Sequence, residues 1–488
     1  MPKRTPPRAP GARPERRPPR RAPGRKISRP PSRGGPPLKA GRAGSAERPL
    51  RDDLVDAAVL EAYGLSQEQG WLADRALERV MRRERSLWAA ERRAAAEAVY
   101  GMVRWRGQLG WLAGREGALE PGGGGPAARL DPALLYAFWL ARFGGLSPEA
   151  AARRLGLAPR ALAAVEGAEA RLAAVADPVL RLAAGESLPR WIAARFVEEL
   201  GPAEALALAR AMNARAPLTV RANLLRGSRE ELAARLAVEG VAATPTPFSP
   251  WGLVLDGHQN AFSLQAFRDG WFEIQDEGSQ LLALAVGARP GKTAVDACAG
   301  AGGKSLALAM EMHNRGELFA LDSDGGRLDE ARRRARRAGV HNLRFRVIPA
   351  GAGADEALAD LAGQADRVLV DAPCSGLGAL RRKPDARWRL QPGDPARFAA
   401  VQRELAARFA RLLKPGGRML YATCAVGPTE NEEVAATIAE LPGMRPVAIA
   451  AALGEERARA LGATDHTLAL LPHRHGTDGF FAALFERS

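Results

Sequence analysis

Cysteine is scarce in this chain: Cys298, Cys374 and Cys424 are the only three in 488 residues, and no two of them form a C-x-x-C pair. That excludes a disulfide scaffold and a zinc ribbon. Uncharged apolar runs of ~18 residues or more are lacking, so no transmembrane helix is expected. The basic start, "MPKRTPPRAPGARPERRPPRRAPGRK", has no apolar segment of the kind a secretory signal needs. Internal repeats are missing as well. With 46% hydrophobic residues, these absences predict a soluble, cytoplasmic, monomeric protein of two to four domains, at the usual ~100–200 residues each.

Acidic residues are also scarce at the start. Residues 1–50 hold 15 Lys/Arg against 2 Asp/Glu, a net +13 of the chain's +16, and 13 of its 36 prolines. Such a segment buries too little apolar surface to fold alone. It reads as a disordered basic arm (1–52) drawn to a polyanion, RNA above all, or as an inert solvated extension. From 53 to 180 the pattern is helical, with apolar residues at three- and four-residue intervals in runs such as "ERRAAAEAVYGMVRWRGQLGWLAG". Residues 187–270 combine a connecting helix, ended at Gly201-Pro202, with a small α+β unit. In it "PLTVRANLL" alternates as a strand, and Ser228 and Glu231 form a capping box.

Over 271–488 strands and helices alternate in the rhythm of a parallel sheet covered on both faces, an α/β fold. Strands are expected at 293–298, 317–322, 343–348, 365–371 and 416–424. A last strand carries Phe480, Phe481 and Phe485.

Three constellations bear chemistry. In "VDACAGAGGKS" (295–305) a strand runs into a glycine-rich turn and a helix start, where Gly300, Gly302 and Gly303 admit a ligand close to the backbone. A phosphate-cradling P-loop is excluded because Cys298 stands where its first glycine is required. A dinucleotide fingerprint fails because Lys304 and Ser305 follow the glycines. Asp322 ends the next strand, 22 residues after Gly300, where an acid accepts the ribose hydroxyls of an adenosine-containing cofactor.

In "DAPCSGLGALRRKPDARW" (371–388) Asp371 sits at a strand's carboxyl end, and Pro373 turns Cys374 out onto the loop. Arg381, Arg382, Lys383, Arg387 and Arg389 surround Trp388, cations beside a ring that would suit single-stranded RNA. In "YATCAVGPTENEE" (421–433) Cys424 ends the neighbouring strand, and Thr429 with Glu432 reads as a capping box. One free cysteine is ordinarily a small buried hydrophobe. Three at strand ends around one crevice are not expected by chance. By chemistry alone, either Cys374 or Cys424 could attack. The histidines of "PHRHG" (472–476) read as a polar turn, and no metal is expected.

These residues carry a resemblance. "DACAGAGGK", "DAPCSG…RRKPDARW", "YATC…TENEE", "QDEGSQ" (275–280) and "RAN" (221–223) resemble, in order, the signature set of RNA cytosine-5 methyltransferases of the Sun/RsmB type. The helical segment is similar to the NusB-like RNA-binding domain that precedes the catalytic domain in the bacterial ribosomal RNA enzymes. The resemblance implies a Rossmann-like class I methyltransferase sheet, preceded by a small α+β unit and an all-α NusB-like domain, with S-adenosylmethionine as cofactor. It implies that Cys424 attacks cytosine C6, that Cys374 assists breakdown of the adduct, and that Asp371 bonds the base edge. Cys298, Ala299, Gly300, Ala301, Gly302, Gly303, Lys304, Asp322 and Asp371 would face the cofactor. Arg221, Asn223, Arg381, Arg382, Lys383 and Trp388 would face RNA.

Two positions depart from the family pattern. Ala301 replaces an expected proline, and "IPAGAGADEA" holds no acid before Asp355 where one usually stands near the adenine. A methyltransferase of the same fold acting on tRNA, and a catalytically silent RNA-binding or ribosome-assembly factor, remain alternatives.

Overall fold

The computed structural model describes residues 48–67, 69–115, 117–121, 130–257, 260–349, 351 and 353–488. The expected basic arm lies outside them, apart from its last few residues, and so does most of the glycine loop at 120–131.

Helices begin where the sequence supplies a cap. Asp131 accepts hydrogen bonds from the amides of Ala133 and Leu134 ahead of Pro132–Arg142, and Ser147 and Asp177 do the same for Pro148–Arg154 and Pro178–Gly185. Each of these helices has proline at its first position, where the missing N–H costs nothing. With Asp52–Gln67, Ala73–Arg83 and Ala89–Leu112 the first two of them enclose a core of Val59, Ala95, Met102 and Phe138. That core also contains Trp388, from far along the chain. Gly201, at φ 78°, turns the chain from the helix Arg190–Leu200 directly into Pro202–Asn213.

The α+β unit follows. Strands β1 (Leu218–Ala222), β2 (Ala243–Pro245), β3 (Gly252–Leu255) and β4 (Phe272–Ile274) form an antiparallel sheet in the order β2-β3-β1-β4. The Ser228–Glu231 capping box starts its helix, Arg229–Val238, as expected.

The larger sheet contains β5 (Lys292–Asp296), β6 (Gly316–Asp322), β7 (Leu343–Val347), β8 (Ala365–Asp371), β9 (Leu413–Thr423), β10 (Met444–Pro446), β11 (Thr467–Leu470) and β12 (Phe480–Arg487). Its order is β10-β12-β9-β8-β5-β6-β7, with β11 paired to β12. Strands β7, β6, β5, β8 and β9 are parallel, and β12 runs antiparallel to β9. This is the expected Rossmann-like sheet, buried on both faces by apolar strands such as "DRVLVD". The order reverses between β5 and β8, which opens a crevice at the carboxyl ends of the strands.

One capping expectation fails. The helix of the "TENEE" segment is Glu432–Ala439 with Asn431 at its N-cap, so Thr429 is too far upstream to cap it. A short 3₁₀ turn, Pro428–Glu430, comes between. Among the described residues no helix is long and apolar enough to cross a membrane.

Candidate active site

Register brings the two thiols together. Asp371, the last residue of β8, pairs with Ala422 of β9. The next residues of both strands leave the sheet on the same side, and the thiols of Cys374 and Cys424 lie 3.2 Å apart. Cys374 also accepts a hydrogen bond of 3.3 Å from the Cys424 amide.

The loop carrying Cys374 is held from beneath. Buried Glu430 accepts from the Ser375 amide at 2.8 Å, and Gln402 donates to the Pro373 carbonyl at 2.9 Å. Tyr421 bonds both Gln402 and the Glu430 carbonyl, which locks the two supports together. The sequence offered no signal for Gln402, which lies mid-helix. Glu430 belongs to a quoted motif, yet only Thr429 and Glu432 of that motif carry a sequence signal, that of a capping box.

Lys304 and Asp371 meet across the floor of the cleft at 2.6 Å. Lys304 was expected on the cofactor side. Its helix, Gly303–Glu311, instead aims the amine at Asp371, with the ring of Phe480 5.7 Å away. Burial works against the ammonium, but the charge of Asp371 more than offsets it and holds the Lys304 pKa above the ordinary value. The hydrogen bond from Cys374 pulls Cys424 below the ordinary thiol value against the opposing effects of burial and Asp371, helped by the charges of Lys304 and Lys383. The same bond, with burial, pushes Cys374 well up. The pair is therefore biased, with ionisation favoured at Cys424 over Cys374.

A cavity of about 870 Å³ joins this dyad to the glycine loop. Cys298, Ala299, Gly300, Ala301 and Asp322 line one end; Asp371, Cys374, Lys383 and Cys424 line the other. Gly300, at φ 53°, faces open space, so a ligand can come against its backbone. Gly302, at φ 82°, lies where a Cβ would stand 2.8 Å from Ala331 of the following helix; it lets loop and helix pack. Asp322 accepts from the amides of Gly300 (2.7 Å) and Asp324 (2.8 Å), one on each oxygen. Each oxygen keeps a lone pair for a hydroxyl donor, so the acid and loop fit an adenosine ribose. Burial beside Asp296, Asp371 and Asp322 raises the Cys298 pKa, and this third thiol stays protonated. Ile348 and Pro349 supply an apolar wall after β7. Asp355 is turned away into ion pairs with Arg408 and Arg411.

Five of the six residues expected to face RNA do other work. Trp388 is 4% exposed and donates its indole N–H to the Val103 carbonyl at 2.8 Å. Arg381 and Arg382 are tied to Asp276 and Asp478 in one ion-pair cluster. Arg221, 2% exposed, donates to Gly303 O at 2.7 Å and also to Gln275. Asn223 donates to Gly270 O and Ala338 O. A desolvated guanidinium or amide is stable only when bonded this way; of the five only Arg382 keeps part of its side chain, 31%, in solvent. Lys383 alone remains exposed at the cavity mouth.

Arg334 was not anticipated. It donates to the Ala301 carbonyl at 2.8 Å while paired with Glu273 of β4, so it braces the turn that lacks the expected proline. His473 and His475 bond Glu204 and the backbone at Leu471 and Leu461. No cluster of three metal-ligating side chains occurs among the described residues.

The family described as 16S rRNA methyltransferase RsmB/F matches residues 283–486, and an RsmF/B-like ferredoxin-like domain matches 188–261. The probable ribosomal RNA small subunit methyltransferase B of Bacillus subtilis is 35% identical over 309 residues, covering 63% of this chain and 68% of that protein. The chain belongs to the RsmB/F methyltransferase family. The ribosomal RNA small subunit methyltransferase B of Pseudomonas putida is 33% identical over 319 residues, 65% of this chain and 70% of that one. Among solved structures, PH0851 aligns with a TM-score of 0.72 at 26% identity over 90% of this chain and all of its own. A methyltransferase homolog from Pyrococcus horikoshii aligns at 0.53 and 27% identity over 64% of this chain and all of its own. As an RsmB/F-family enzyme the chain is an S-adenosylmethionine-dependent RNA methyltransferase. The glycine loop and Asp322 are the part of the cavity suited to that cofactor.

Proposed function

We propose that this enzyme methylates C5 of a cytosine in ribosomal RNA, through a covalent bond between Cys424 and C6 of the base. Cytosine C5 is a poor nucleophile. Addition of the Cys424 thiolate to C6 turns the ring into an enamine whose C5 is nucleophilic. The Asp371 carboxylate accepts from the N4 amino group of the base. Lys304, 2.6 Å from it, places positive charge against the electron density pushed onto the ring. Bound S-adenosylmethionine supplies the electrophilic methyl; Asp322 and the backbone of 298–302 hold it. In the second half the C5 proton leaves to a base, its electron pair restores the C5–C6 double bond, and Cys424 departs as thiolate. Cys374, 3.2 Å away, assists that release.

The observation that carries this reading is the pair of thiols 3.2 Å apart in the cavity that also holds the glycine loop, Asp322 and Asp371. A factor that only bound RNA would need neither. The helical unit, by its NusB-like resemblance, would help hold the RNA. Incubation of the purified protein with methyl-labelled S-adenosylmethionine and unmodified small-subunit rRNA tests the proposal. Digestion should release labelled 5-methylcytidine. Label in another nucleoside, or only when tRNA is supplied, would contradict it.

A further inference from the structure

A second cavity, of about 440 Å³, lies where the helical unit meets the connecting helices. Its volume falls in the ~300–1,000 Å³ range of small-ligand sites. Trp105 and Phe143 stack in its wall, ring centroids 4.6 Å apart, and Phe143 is 37% exposed. Arg142, whose guanidinium lies 5.5 Å over the Phe143 ring, Arg181 and Arg210 also line the cavity. Arg142 and Arg210 each contact one glutamate, Glu169 and Glu186. Gln108 also lines the cavity and is 2% exposed. Its amide nitrogen donates to Gly185 O at 2.6 Å, but its Oε1 is buried without a hydrogen-bond partner, as is Nε of Arg142. A buried acceptor left unpaired costs free energy that a ligand bearing N–H groups would recover.

An aromatic stack, three guanidinium groups and an orphaned amide oxygen match one nucleotide of single-stranded RNA. The rings offer a π-surface to a base, the arginines meet its phosphate, and Gln108 accepts from an exocyclic amino or ring N–H. We infer that this cavity is a second RNA site, which grips an unstacked nucleotide of the same RNA while the target base occupies the catalytic cleft. The inference rests on the enzyme acting on RNA, as proposed above. The sites are mechanically joined. Arg387, on the segment whose Lys383 lines the cleft, donates to the carbonyl of Ser187 at 3.1 Å, next to the cavity residue Glu186.

Photocrosslinking of the full-length enzyme to 4-thiouridine-substituted small-subunit rRNA, with peptide mapping, tests the inference alongside steady-state kinetics. Crosslinks to peptides carrying Trp105–Gln108 or Arg142–Phe143 are expected. The exposed-residue double variant Phe143→Ala/Arg181→Ala, and separately Gln108→Leu, should raise KM for RNA roughly 5- to 30-fold at unchanged kcat, with the melting temperature of each variant checked. Crosslinks confined to the catalytic cleft, with KM of both folded variants within twofold of wild type, would overturn it. The crosslink map decides the point independently of which nucleoside receives the methyl.

Discussion

Trp388 donates its indole N–H to the carbonyl of Val103, 285 positions earlier, and fills the core of the helical unit from the far side of the catalytic cleft. A side chain that looks like an RNA-stacking platform in sequence is a peg joining two parts of the molecule. Trp388→Ala should therefore destabilise the protein by roughly 3–5 kcal/mol. Trp388→Phe, which keeps a ring but loses the hydrogen bond, should cost less. Thermal unfolding and limited proteolysis check this. An unchanged melting temperature with weakened RNA binding would restore the stacking role.

The Lys304–Asp371 pair predicts a separation of binding from chemistry. Lys304→Met and Asp371→Asn should each lower kcat at least about a hundredfold, the scale on which loss of one preorganised electrostatic contact is felt. Calorimetric affinity for S-adenosylmethionine should change little. A large loss of cofactor affinity with kcat preserved would put Lys304 back on the cofactor.

Cys424 governs the pH profile. The acidic limb of kcat/KM should fall below the ordinary thiol value of about 8.5, because a hydrogen bond from Cys374 and two lysines favour the thiolate. Removing a favouring group raises the Cys424 pKa, so Lys383→Ala should move that limb to higher pH. A limb that does not move shows Lys383 to be too distant or too well screened to matter.

Asp296 gives a second pH signature, in stability. It is buried, and burial raises its pKa to about 7 despite a hydrogen bond from Ser305. Its folded pKa exceeds the unfolded value of about 3.9. Its contribution is thus fully present below that value and is lost as pH rises toward 7. Asp296→Asn should flatten the dependence of melting temperature on pH across this window.

Much of the fold was legible because strands such as "ADRVLVD" are apolar runs closed by an acid, and because caps and prolines mark helix starts. The cleft was legible through its strand-end residues: Asp322, Asp371, Cys374 and Cys424 do meet around one cavity. What sequence misplaced was the partner of each cation. Arg221, Arg381 and Arg382 look solvated in a linear string, yet their carboxylates and carbonyls lie up to 165 residues away. The brace of Ala301 by Arg334 is hidden for the same reason. It predicts that Arg334→Ala lowers cofactor affinity, measured by calorimetry, while the fold survives.

Denaturing gel mobility of the protein after incubation with rRNA and S-adenosylmethionine tests the division of labour between the thiols. Cys374→Ala should accumulate an RNA–protein adduct that survives denaturation, because Cys424 still attacks and release is slowed. Cys424→Ala should form neither adduct nor 5-methylcytidine. Full activity in Cys424→Ala, or an adduct trapped by that variant in place of Cys374→Ala, would contradict the assignment.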